Sequence, residues 1–143
     1  MKIKIKRFDK ELALPEYKTA GAAGFDLTAR ETMTIAPHGV AYVPLNVAVE
    51  TPPDHFLMIA ARGSTHKRGL MLANSVGIGD SDFCGDDDQY LAALLNFTDE
   101  PVVVERGDRI AQGIFIPFTR GEWIEVDIMP NRTRGGFGST GRR

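Results

Sequence analysis

Apolar positions along the chain recur with period two or as short runs, and no stretch sustains the 3.6-residue period of a helix. Met1, Ile3 and Ile5 alternate with Lys2, Lys4 and Lys6, which predicts a half-exposed strand whose lysine face suits a sheet edge. Further strands are predicted at 40–49, 56–61, 90–97, 102–105, 109–118 and 122–128, mostly rich in Val, Ile or Leu and bounded by Gly, Pro, Asn and Asp. Pro37-His38-Gly39, Pro52-Pro53-Asp54 and Arg106-Gly107-Asp108 read as turns. Residues 64–69 suit a single helical turn, with Ser64 as its cap and Gly69 as its stop.

Many short strands with evenly spaced turns imply an all-β sandwich, jelly roll or barrel. With 143 residues, 43% of them hydrophobic, the chain can bury one real core but not two. Seventeen basic against nineteen acidic residues exclude the basic balance of a general nucleic-acid binder. No apolar run is long enough to span a bilayer, and residues 1–7 do not read as a signal peptide, so no membrane partner is expected. Cys84 is the only cysteine; it can form neither an internal disulfide nor a zinc site by itself, and a reducing, cytoplasmic setting fits. His38, His55 and His66 are scattered and read as surface or locally bonded groups.

The composition changes near the end, which divides the chain into a domain over 1–128 and an arm over 129–143. The arm holds Arg132, Arg134, Arg142 and Arg143, no acid, and a run of small or hydroxyl-bearing residues around Phe137. Gly-rich backbone, hydroxyls and forked guanidinium donors are what phosphate binding needs, and an aromatic ring offers a face to a base. A flexible arm that orders over a ligand is therefore expected. Four other segments are rich in glycine and polar residues. They are Ala20-Gly21-Ala22-Ala23-Gly24-Phe25-Asp26-Leu27, Ala61-Arg62-Gly63-Ser64-Thr65, Gly77-Ile78-Gly79-Asp80-Ser81-Asp82-Phe83-Cys84-Gly85-Asp86 and Arg106-Gly107-Asp108-Arg109-Ile110-Ala111-Gln112. Each alone is an ordinary turn.

Together, in this order, the five segments resemble the motifs of the homotrimeric dUTPases, over most of the chain from Ala20 to Gly141. The resemblance implies a β jelly roll, a trimer whose sites are shared between chains, and cleavage of dUTP to dUMP and pyrophosphate with Mg²⁺ riding on the triphosphate. It implies Asp80 as the base that activates the attacking water, and Phe83 as the ring packed under the deoxyribose, where the family usually has Tyr. It assigns Arg62 and Gln112 to the phosphates, and Arg132, Ser139 and Thr140 to the γ-phosphate. Phe137, next to Gly138, would stack on uracil, and Asp26 would meet the Mg²⁺ shell through water, since Mg²⁺ dehydrates reluctantly.

Two segments depart from the pattern. The family's second motif carries a serine where this chain has Gly63, which removes a donor to the bridging oxygen; Ser64 is the candidate substitute. Loss of one such donor costs about 10²–10³ in rate by analogy with oxyanion holes, so a slowed enzyme is expected. Asp86-Asp87-Asp88 looks like a small insertion, either a solvated acidic loop or an extra cation site. Two alternatives stand beside the hydrolase. A non-catalytic dUTP-binding or regulatory trimer is favoured by Gly63 and opposed by Asp80. A dCTP deaminase relative would need a glutamate near Ala93, and none lies between Gly85 and Asn96.

Overall fold

The computed structural model describes residues 1–138. Eleven strands and one short 3₁₀ turn make up its regular structure. The strands are β1 (Ile5–Arg7), β2 (Phe25–Thr28), β3 (Met33–Ile35), β4 (Val40–Pro44), β5 (Val47–Val49), β6 (His55–Ala60), β7 (Leu70–Leu72), β8 (Gly77–Gly79), β9 (Leu91–Asn96), β10 (Val102–Val104) and β11 (Arg109–Pro117). All ladders are antiparallel. A four-stranded sheet runs β2-β11-β6-β8, a three-stranded sheet runs β4-β9-β7, and the pairs β1-β5 and β3-β10 complete an all-β jelly roll.

The period-two pattern sets the core. Leu57 and Ile59 of β6, Phe25 and Leu27 of β2, Leu70 and Leu72 of β7, and Ala92 and Leu94 of β9 alternate inward and are buried together. In β11 the register shifts between Arg109 and Ala111, so Ile110 and Ala111 are buried in succession while Gln112 stays half-exposed. Asn96 is fully buried in β9 and fully bonded: its amide donates to the carbonyls of Ile35 and Glu100, and its oxygen accepts from Thr98.

Several sequence expectations change here. Only Ile5–Arg7 of the lysine-alternating segment is paired, with β5. The run 40–49 breaks into β4 and β5, because Asn46 takes φ 70° and its side chain exchanges hydrogen bonds with the backbone of Asp9. The 3₁₀ turn Thr65–Arg68 stops at Gly69 with φ 79°, as expected, but Ser64 makes no side-chain cap. Strands β2, β3, β7 and β8 were not predicted, since three or four residues are too few to show a period. The strand expected at 122–128 does not form. Regular structure ends at Pro117, and the segment leaves Trp123, Ile124, Val126 and Ile128 exposed without a neighbouring strand to bond its backbone. Among the described residues no helix is long and apolar enough to cross a membrane.

The turn before β11 fixes where that strand begins. Gly107 takes φ 91° and donates to the Ala29 carbonyl, and Ala29 donates back to Asp108. The Asp108 carboxylate accepts from the Glu105 amide at 2.9 Å and from Arg68 at 2.8 Å. Burial pushes its pKa up, but the Glu105 amide and Arg68 outweigh it and hold the group below its ordinary 3.8. A carboxyl whose folded pKa is depressed adds stability above its unfolded pKa and loses it as pH falls through the folded value. Asp108→Asn should therefore lower unfolding free energy by about 1–2 kcal/mol at neutral pH. Urea melts at descending pH should show the gap to the parent closing below about pH 4; a pH-independent gap would rule out the charge as its source.

Candidate active site

Two polar clusters emerge from the sheets. The first lies where β2, β11 and the turn after β6 meet. Asp26 and Gln112 are register partners on β2 and β11, and Gln112 also faces Ala60 of β6. Arg62 follows β6 and donates from Nε to Asp26 Oδ1 at 2.9 Å. Its Nη1 reaches the Arg109 carbonyl at 3.1 Å and Ser64 Oγ at 3.4 Å. Arg109 sits 3.5 Å from the other Asp26 oxygen. Gln112 donates to the Ala61 carbonyl at 2.9 Å. The Arg62 backbone amide is held by Thr65 Oγ1, whose own hydroxyl lies 3.4 Å from the Ile110 carbonyl.

This cluster has two guanidinium groups to one carboxylate, and both arginines remain partly open to solvent. Among the described residues, Arg62 Nη2 has no hydrogen-bond partner. The arrangement can receive a polyanion through forked donors already set in place. Gly24 lies close beside it: a Cβ there would displace the end of the Gln112 side chain. Gly63 has open space where a Cβ would be, and its φ is unexceptional, so a side chain at that position fits.

The second cluster is a cavity of about 350 Å³ on the edge strand β8. Ile59, Asn74, Gly79, Asp80, Phe83 and Tyr90 line it. Asp80 is exposed at the start of a turn closed by the Phe83 amide donating to the Asp80 carbonyl at 3.1 Å. The Phe83 ring is about one-third exposed, and Tyr90 packs edge-on against it. Exposed backbone of β8 and an aromatic floor suit a flat heterocycle with a donor–acceptor edge. The inserted aspartates are held locally: Asp86 pairs with Lys6 at 2.9 Å, and Asp88 accepts from the Gly85 amide at 2.7 Å. Among the described residues no three His, Cys, Asp or Glu side chains group as a metal site.

One chain does not bring these clusters together. Gly79 pairs with Leu57 near the start of β6, whereas Arg62 follows its last residue, Ala60. Asp80 follows Gly79 off that end of the ladder, and Arg62 lies five residues past Leu57 at the other, roughly 17 Å of extended chain. Arg132, Phe137 and Gly138 are exposed, with Phe137 at φ 51° and Gly138 at φ 85°, and none touches either cluster. Ser139 and Thr140 lie outside the described residues. Sequence reasoning missed Arg109 and Tyr90. Arg109 opens β11 beside Asp26, and only the bulge gives it that direction; Tyr90 precedes β9 and reads as ordinary core.

A family model described as dUTPase matches residues 10–141. Deoxyuridine 5'-triphosphate nucleotidohydrolase of Desulfitobacterium hafniense is 43% identical over 99% of this chain and 95% of its own. That of Helicobacter pylori is 38% identical over 99% and 97%. The crystal structure of dUTPase from Streptococcus mutans aligns with a TM-score of 0.76 at 32% identity, over 83% of this chain and 98% of that one. The dUTPase of Staphylococcus bacteriophage 80alpha, with dUpNHpp, shares the fold at a TM-score of 0.86 and 21% identity, over 98% of both chains. The jelly roll and this breadth of match agree, and the chain belongs to the dUTPase family of enzymes that hydrolyse dUTP.

Proposed function

We propose that this chain hydrolyses dUTP to dUMP and pyrophosphate in a homotrimer, with each active site assembled from more than one copy. The observation that carries this reading is the separation of Asp80 from Arg62 along β6. A second copy can bring its cavity to the first copy's arginine cluster, which a single rigid sheet cannot. Two exposed apolar surfaces support assembly. The outer face of β4-β9-β7 presents Val40, Tyr42, Met71 and Leu91, and the unpaired 122–128 segment presents Trp123 and Ile124. The latter has strand-like alternation and an open backbone, as expected of an arm that pairs on a neighbour.

In this reading Asp80 accepts a proton from water as the water oxygen attacks the α-phosphorus in line. The bond from that phosphorus to the bridging oxygen breaks, and pyrophosphate leaves. Arg62 and Gln112 hold the phosphates, Arg109 joins them, and Phe83 lies under the deoxyribose. Uracil meets the backbone of β8. From the arm, Arg132, Ser139 and Thr140 reach the γ-phosphate, and Phe137 with Gly138 closes over the base. Arg132 lies fifteen residues past Pro117, about 50 Å at full extension, so such reach is available. Mg²⁺ fits as a passenger of the triphosphate. Asp26 is already paired with two arginines, so the carboxylate can meet a hydrated ion but cannot cage one. The ion neutralises phosphate charge; Asp26 sets the direction of Arg62. Gly63 favours one second reading, a trimer that binds dUTP without turnover, because it supplies no hydroxyl to the bridging oxygen.

Separation of nucleotides and a pyrophosphate assay with Mg²⁺ should show turnover of dUTP, with dCTP and dTTP inert. Gly63→Ser, for which space is open, should raise kcat by up to about 10²-fold, and Asp80→Asn should bind dUTP without turning it over. Binding without turnover by both parent and Gly63→Ser selects the non-catalytic reading. No binding at all defeats the uracil assignment.

Shared sites give a second outcome. Asp80→Asn and Arg62→Ala chains, each inactive alone, should recover activity after being unfolded and refolded together. About a quarter of sites in random mixed trimers draw both intact residues from different chains. Recovery near zero, with mixed trimers demonstrated by mass, would mean that one chain holds the whole site.

A further inference from the structure

Tyr90 stands directly before β9, 6% exposed, and its backbone is pinned from both sides. Its amide donates to the Val47 carbonyl at 2.9 Å, and its carbonyl accepts from Leu45 at 2.8 Å. The base of the side chain is therefore fixed to the junction of β4 and β5. Two parts of the candidate site rest on it. The Phe83 ring packs edge-to-face against it, with centroids 5.1 Å apart and planes at 71°. The phenol end lies flat on Gly79, the residue before Asp80, and a Cβ at Gly79 would run into the Tyr90 Oη.

The turn from Asp80 to Phe83 is otherwise exposed and closed by one backbone hydrogen bond. Tyr90 is the buried body beneath both its ends. The hydroxyl is buried, and so is the Thr51 hydroxyl beside it. Burial pushes the Tyr90 pKa above its ordinary 10.0; the Thr51 hydroxyl opposes that, and the charges of Asp80, Cys84 and Asp88 add to it. The ring thus stays neutral. Its place is set by shape and by aromatic geometry.

We propose that Tyr90 is a positioning residue that sets sugar selectivity, by bracing the Phe83 ring against which the deoxyribose packs. The proposal rests on the dUTPase reading of the cavity. A ring held at fixed height leaves no room for a 2′-hydroxyl, whereas a ring free to tilt admits one. Bracing discriminates between ligands that differ by that one group, and does so without Tyr90 itself binding either.

The test compares kcat/KM for dUTP and for UTP, with Mg²⁺, in the full chain. Tyr90→Phe keeps the ring and should keep the dUTP preference. Tyr90→Leu and Tyr90→Met, two smaller side chains of similar volume and different shape, remove the ring and should lower that preference by about 3- to 10-fold, the range an edge-to-face pair supplies. Ile35→Val, a core change away from the cavity, should lower thermal stability and leave the preference alone. If the Leu and Met variants only lose stability, like Ile35→Val, Tyr90 is core filling and the proposal is wrong. Aromatic NMR reads the brace separately from turnover. Phe83 ring flips should be slow in the parent and Tyr90→Phe, and faster in Tyr90→Leu or Tyr90→Met. A parent that neither binds nor hydrolyses dUTP sinks the dUTPase reading; unchanged Phe83 flips sink the brace.

Discussion

Strand β6 is the spine on which the molecule depends. It is paired on one side with β11 and on the other with β8, and its two ends carry different chemistry. Antiparallel pairing puts Gly79 opposite Leu57 and Gln112 opposite Ala60. A sheet with Leu57 and Ile59 packed into the core cannot fold back to bring those ends together. The chain therefore carries an arginine cluster and an aromatic cavity at opposite ends of one strand. The two unpaired apolar surfaces are the matching half of that constraint.

The strand content was legible where period two ran for five residues or more, as in β6, β9 and β11. It was not legible in β2, β3, β7 and β8, whose partners lie far along the chain and whose length is set by those partners. The 122–128 segment reads as a strand and stands alone, because sequence pattern reports what a backbone is suited to pair with, not whether a partner is in the same chain. The candidate site shows the same division. Resemblance brought out Asp80, Arg62 and Gln112, since their glycine-rich settings are distinctive. Arg109 depends on the β11 bulge, and Tyr90 depends on packing against Phe83 and Gly79. Neither leaves a mark in spacing.

Glycine marks the site for two separate reasons. Gly79 is required by crowding, since the Tyr90 ring occupies the space beside it, and at Gly24 a Cβ would displace the end of the Gln112 side chain. Gly63 is required by nothing around it, since open space surrounds the missing Cβ. The contrast matters for reading the departure from the family pattern. A glycine forced by packing would signal a reshaped pocket. A glycine in open space leaves a frame that still accommodates a side chain.

The arginine cluster explains how that frame stays ready. Arg62 and Arg109 converge on one Asp26 carboxylate, which spares the folded chain the repulsion of two unpaired guanidinium groups. Arg62 is also tied by the Arg109 carbonyl and by Ser64, so its plane is fixed before any ligand arrives. Donors held in this way lose little freedom on meeting a phosphate. Asp26 thus acts chiefly by its pairing with Arg62, and its carboxylate is shared between two guanidinium groups. Ion pairing thus sets the donors at one end of β6 before any ligand is present, while aromatic packing of Phe83 on Tyr90 shapes the cavity at the other.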